Sequence, residues 1–210
     1  MDADLVVLVH GMGRTPGSMV PLARHLRRAG YRVLNVGYSS YGPDVAAIGH
    51  RVAERTQAAL ADAPSRRVHF VGHSLGAVAI RWMLANERPA NAGRAVLLAP
   101  PNQGSASADR MTPYVGWLLR PIRELRTDSA STVRGLPADP GVPLLVVAGA
   151  RDSKVSLAEA RLDGAETAVV PGGHTFIMRR RDVLRLVERF LAGEVRSSDE
   201  PDAPFGVTRR

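Results

Sequence analysis

Ser74 stands in Gly72-His73-Ser74-Leu75-Gly76, between a short apolar run (Val68 to Val71) and a segment of helical character that starts near Leu75. Gly-x-Ser-x-Gly in that setting is the sequence form of a strand-to-helix turn so tight that its serine hydroxyl stands clear of the sheet edge. A serine hydroxyl is un-ionised at neutral pH and attacks a carbonyl only when a base takes its proton. The chain has six histidines for that role. His10 and His73 lie inside glycine motifs, where packing or loop hydrogen bonds account for them; His25 and His50 fall in helical segments, and His69 in the strand before the turn. His174, in Pro171-Gly172-Gly173-His174-Thr175, is in a loop after a late strand and is the candidate base. Asp152 follows an earlier strand by three residues and is the candidate orienting acid, giving the chain order Ser74, Asp152, His174. An Asx-turn or helix cap is the plain alternative for Asp152. Glu159 and Asp163 in the next connection, and Asp109 and Asp128 in a long loop, remain open as substitutes.

These residues need a scaffold that brings several loops to one edge. Leu5 to Val9 is a continuous β-branched-rich run, the pattern of a strand buried on both faces. Similar runs recur at Arg32 to Val36, Val68 to Val71, Ala95 to Ala99, Pro143 to Gly149 and Glu166 to Val170. Between them lie helical patterns: Ser18 to Ala29, a stretch capped by Asp44 and running to Ala63, the segment from Leu75 to about Asn86, and Arg181 to Leu191. Six strands alternating with helices predict an α/β fold: an open, mainly parallel six-stranded sheet with helices on both faces and its site at the strands' carboxyl ends. The first strand runs into His10-Gly11-Met12-Gly13. Its glycine spacing fits neither a dinucleotide fingerprint nor a P-loop. It matches the loop that lends one backbone N–H, here that of Met12, to an oxyanion hole.

The region from 100 to 142 is the longest without a clear core element, and a connection of that length is expected to be a lid-like or substrate-binding insertion over Ser74. Its apolar residues Tyr114, Trp117 and Leu118, with Leu119, are candidate substrate contacts. Residues 1–192 are expected to form one domain, and the polar stretch 193–210 a disordered tail.

Composition removes several classes. There is no cysteine, so disulfides, thiolate catalysis and cysteine-based metal sites are excluded. The formal charge is +8, Lys154 is the sole lysine, and the arginines are dispersed along helical segments with aromatic residues at only 5%. That pattern reads as solvated helix faces, so no nucleic-acid partner is expected, although transient contact with an anionic membrane surface stays open. The acidic start, Met1-Asp2-Ala3-Asp4, lacks the form of a signal peptide and no apolar run is long enough to span a membrane, so the expected location is cytoplasmic.

Taken together, His10-Gly11-Met12-Gly13, Gly72-His73-Ser74-Leu75-Gly76, Pro100-Pro101-Asn102-Gln103-Gly104-Ser105, Asp152 and His174 give a chain that resembles the α/β-hydrolase superfamily over about residues 5 to 191. It is most similar to small lipases and esterases, including compact bacterial lipases and relatives of the GPI inositol-deacylases. The two further strands of larger members are absent ahead of Leu5, as they are in compact members. The resemblance implies ester hydrolysis without metal or organic cofactor: Ser74 as nucleophile, His174 as base, Asp152 as orienting acid, and the N–H groups of Met12 and Leu75 as oxyanion donors. Acyl transfer to another acceptor, thioesterase action and a non-catalytic binding role would preserve the same constellation.

Overall fold

The computed structural model describes residues 3–129, 131–194 and 207–209. Strand β1 (Leu5–Val9) is buried along its whole length, because its alternate side chains enter two different cores. Leu5, Val7 and Val9 point into one, and Val6 and Leu8 into the other. The remaining parallel strands are β2 (Arg32–Val36), β3 (Val68–His73), β4 (Ala92–Leu98), β5 (Leu144–Gly149) and β6 (Glu166–Val170). They line up in the order β2-β1-β3-β4-β5-β6, every neighbouring pair parallel.

Helix α1 (Val20–Arg28) and helix α8 (Arg181–Ala192) cover one face. Leu22, Ala23 and Leu26 of the first meet Val183, Val187 and Phe190 of the second over Val6, Leu8, Val71 and Val96. Helices α2 (Val45–Asp62) and α3 (Leu75–Asn86) cover the other, where Val52, Ala53, Ala77, Ile80 and Met83 pack on Leu5, Val7, Phe70 and Leu97. Asp44 caps α2 as its sequence position predicts, its Oδ1 accepting the Ala47 N–H at 2.8 Å. The open, mainly parallel sheet with helices on both faces is the architecture expected from the alternation of runs. The chain leaves β1 toward β2 on one side and returns to β3 on the other, which opens a crevice beyond the carboxyl ends of β1 and β3.

The region 100–142 is built, not loose. It holds α4 (Ala106–Val115), α5 (Arg120–Glu124) and α6 (Thr132–Gly135). Ala108, Ile122, Leu125 and Val133 from these helices form a third core with Val45, Ile48, Leu75 and Val78 of α2 and α3. Two polar ties fix it in place. Buried Arg81 of α3 donates to Asn102 Oδ1 at 3.1 Å and to the Leu136 carbonyl at 3.0 Å, and Glu124 Oε2 accepts the Val45 N–H at 2.7 Å. One short helix, α7 (Leu157–Ala160), follows β5 and closes on itself with a Ser156/Glu159 capping box.

Most of the expected tail, 193–210, lies outside the described residues. Gly193 closes α8 in the left-handed conformation, φ 83°. Residues 195–206 lie outside those described, and β7 (Val207–Arg209) adds a seventh, antiparallel strand along β6. The physical reason is that β6 would otherwise leave its outer row of backbone groups unpaired, and Val-Thr-Arg suits an extended edge strand. Among the described residues no helix is long and apolar enough to cross a membrane.

Candidate active site

Strand β3 ends against a turn that only two glycines permit. A Cβ on Gly72 would lie 2.6 Å from the backbone of Gly76 and Ala77, and one on Gly76 would lie 2.4 Å from the carbonyl oxygens of Val9 and His10. Between them Ser74 adopts φ 51°, ψ −119°, a conformation that costs a non-glycine residue about 1–3 kcal/mol. Its N–H donates to the Leu98 carbonyl at 2.9 Å, which continues the β3–β4 ladder and anchors the strained residue. The hydroxyl projects from the start of α3, where helix geometry leaves the first N–H groups without intrahelical acceptors.

Two loops bring partners to that hydroxyl. Ser74 Oγ lies 2.9 Å from His174 Nε2, and His174 Nδ1 lies 2.8 Å from Asp152 Oδ2. Asp152 Oδ1 is engaged separately, accepting the N–H of Lys154 at 2.8 Å and of Val155 at 2.9 Å. Its side chain is only 1% exposed and that of His174 9%. Burial alone would raise the Asp152 carboxyl, but the bonds from His174, Val155 and Lys154 outweigh it and hold the group below its usual range. The acid and base loops are also stitched together, since the Arg151 N–H donates to the Gly172 carbonyl at 2.9 Å.

The histidines inside the glycine motifs buttress this arrangement. His73 Nε2–H donates to the backbone carbonyl of His174 at 2.9 Å, so the residue beside the serine holds the loop of the base. Burial, followed by the neighbouring His174 charge, pushes the His73 imidazole down to about 3 and keeps it neutral. Its Nδ1 is buried with no hydrogen-bond partner and faces Gly11, where a Cβ would come within 2.6 Å of it. His10 stacks on Tyr38 with ring centroids 4.2 Å apart, donates from Nδ1 to the Gly11 carbonyl at 2.9 Å, and has its own carbonyl held by the Tyr38 hydroxyl at 2.8 Å. In the loop so fixed, the Arg14 N–H returns to the Gly11 carbonyl and the Gly13 N–H donates to Ser40 Oγ. Met12 is among the residues lining the Ser74 pocket.

The other candidates are engaged elsewhere. His25 pairs with Glu188, His50 with Glu87 and Glu54, and His69 with Asp4. Asp109 bonds Thr127 and Arg126, Asp128 pairs with Arg126, Glu159 caps α7, and Asp163 pairs with Arg161. The pocket around Ser74 and His174 has a volume of about 230 Å³. Its apolar wall is Ala108, Met111, Leu119, Ile122, Leu125 and Val155. Of the expected substrate contacts, Leu119 is in this lining, whereas Tyr114, Trp117 and Leu118 are outside it and 79%, 74% and 42% exposed. In a segment with apolar residues on every side, only docking onto α2 and α3 decides which ones turn inward.

A family model described as the alpha/beta hydrolase family matches residues 6–140. The chain belongs to that family. Among solved structures, this alpha/beta hydrolase is similar to the mature form of a lipase from Bacillus licheniformis, at 18% identity and TM-score 0.75 over 89% of this chain and 91% of that one. An esterase from Pyrococcus furiosus aligns at 19% identity and TM-score 0.69, over 91% of this chain and 82% of that one. An enol-lactonase from Burkholderia xenovorans gives 19% identity and TM-score 0.62, over 91% and 92%. At such identities the likeness is one of fold. No curated protein sequence matches the chain.

Proposed function

We propose that this alpha/beta hydrolase is a serine hydrolase of carboxylic esters, with Ser74, His174 and Asp152 as its triad. The observation that carries the reading is the continuous hydrogen-bonded chain from Asp152 Oδ2 through both ring nitrogens of His174 to Ser74 Oγ, opening into a pocket. A carboxylate accepts the bond at Nδ1, so that nitrogen bears the proton and Nε2 is free to take the one on Ser74.

Attack of Oγ on the ester carbonyl transfers the hydroxyl proton to Nε2 and forms a tetrahedral oxyanion. The Met12 and Leu75 N–H groups receive that charge, one from the loop after β1 and one from the first turn of α3. Collapse breaks the bond to the alcohol, which leaves with the proton from Nε2. A water then gives its proton to Nε2 and attacks the acyl-enzyme, and the same oxyanion donors serve the second intermediate. The single domain supplies every group, and the 100–142 insertion supplies the apolar wall for the acyl chain.

A pocket of about 230 Å³ suits a short acyl group. The test is hydrolysis of 4-nitrophenyl esters from acetate to palmitate by wild type and Ser74→Ala. Turnover is expected to peak at short chains and to fall by about 10⁶-fold in the variant. Ester hydrolysis that survives in Ser74→Ala sinks the proposal.

A further inference from the structure

The Ser74 pocket is one-sided in charge. Besides its apolar residues the lining includes Arg14, from the loop after β1, and Lys154, two residues beyond Asp152, and no carboxylate lines the pocket. Neither cation takes part in an ion pair among the described residues; the side-chain contact of Arg14 is the ring of Phe176, 5.7 Å from the guanidinium. Arg179 also approaches that ring, its guanidinium 5.2 Å from the centroid. Nearby acids are turned away. Asp109 is held by Thr127 and Arg126, and Glu159 by the N–H groups of Ala106 and Ser156.

As Ser74 attacks, His174 becomes a cation and the ester carbonyl an oxyanion, so the two lining cations act on both charges in opposite senses and the triad chemistry does not by itself call for them. The Arg14 charge reaches the site, since it helps to depress the neighbouring His73 imidazole after burial and His174 have acted. An anionic group on the substrate would give these unpaired cations a partner. The arginine fork suits a carboxylate or phosphate, and the lysine is a compact point charge.

Building on the esterase reading, we propose that the physiological substrate is an amphiphilic ester with an anionic group, carboxylate or phosphate, seated between Arg14 and Lys154 while its apolar part lies against Met111, Leu119 and Ile122. Charge and apolar surface then divide the pocket as they divide the substrate.

The experiment compares matched pairs of esters: monoethyl adipate against ethyl hexanoate for a carboxylate, and 1-butyrylglycerol 3-phosphate against 1-butyrylglycerol for a phosphate. The quantity read is the ratio of kcat/KM within each pair, which divides out any general loss of activity. Wild type is expected to favour the anionic member of at least one pair by ten- to a hundredfold at low ionic strength, and less in high salt. Arg14→Gln and Lys154→Gln are each expected to cut that ratio about tenfold, and the pair affected tells carboxylate from phosphate. A ratio near or below one in both pairs, or one that neither variant changes, overturns the proposal. Binding of butyl phosphate to Ser74→Ala, with and without Lys154→Gln, supplies an arm that needs no turnover. If no ester is hydrolysed, the esterase reading falls, and the butyl phosphate arm still decides this one: binding weakened by the second substitution supports the subsite, and no binding removes it.

Discussion

Asp152 divides its two oxygens between two tasks, and that division yields a sharp expectation. Oδ1 accepts two backbone N–H groups that shape its own loop, while Oδ2 faces His174 Nδ1. In Asp152→Asn the amide oxygen is held at the Oδ1 position by those two donors, which forces the NH₂ toward His174. The imidazole must then accept at Nδ1 and carry its proton on Nε2, where it cannot serve as base. The expected loss in kcat is about 10⁴-fold with the fold intact, measured on 4-nitrophenyl butyrate beside thermal melting. A loss under tenfold would mean that this carboxylate does not set the tautomer. The residues of this hydrogen-bonded chain could be read as candidates because each follows an apolar strand, in the order Ser74, Asp152, His174, and two of them, Ser74 and His174, stand close to glycines that mark tight turns. The bond from His73 to the His174 carbonyl was not legible: nothing in the sequence says which loop, a hundred residues on, will stand opposite its ring. Lys154 carried a signal that composition could register but not interpret, being the one lysine of the chain.

The strand-turn-helix element is the part least tolerant of change. Adding a methyl group at Gly76 places it 2.4 Å from two carbonyl oxygens at the end of β1, and a backbone oxygen inside a sheet cannot step aside as a side chain can. Gly76→Ala is therefore expected to cost about 3 kcal/mol or more and to abolish activity, since it drives α3 away from the loop that carries Met12. Gly13 has positive φ, 65°, but open space around its Cβ position, so Gly13→Ala should cost only about 1–2 kcal/mol of backbone strain. Urea denaturation of the two variants separates the mechanisms; equal losses would contradict the steric account. Strands were the most legible elements, because a buried parallel strand must be apolar on both faces. The insertion was harder. Its helices are short, and the exposed Tyr114, Trp117 and Leu118 cannot be told by sequence from the half-buried Leu119 and the buried Ile122 and Leu125 until α2 and α3 provide the surface they dock against. The edge strand β7 depends on the open flank of β6, a vacancy that exists only after the sheet has formed.

For the whole molecule, three buried histidines couple stability to acidity. His10, His69 and His73 are each depressed chiefly by burial, His73 to about 3, so the unfolded chain binds their protons more readily than the folded one. Their contribution is fully present above the unfolded value of about 6.5 and drains away as pH falls toward each folded value, at up to about 1.4 kcal/mol per pH unit for each residue. His50 shifts the other way through Glu87 but stands fully exposed on the surface. Urea midpoints should therefore fall steeply between pH 7.5 and pH 5, well above the range where Asp152 is protonated, and His73→Gln should lessen the slope. A flat profile would show that these rings are not held neutral. Activity is expected to follow the fold in this range, because the loops of Met12 and His174 rest on His10 and His73. The proposed mechanism requires one activated serine at the meeting point of these loops. Intact-mass analysis and peptide mapping after exposure to a fluorophosphonate test for it. A single phosphonyl adduct on Ser74, absent from Ser74→Ala and slow to form in Asp152→Asn, is the predicted result; an unmodified protein, or an adduct elsewhere with Ser74 free, would contradict it.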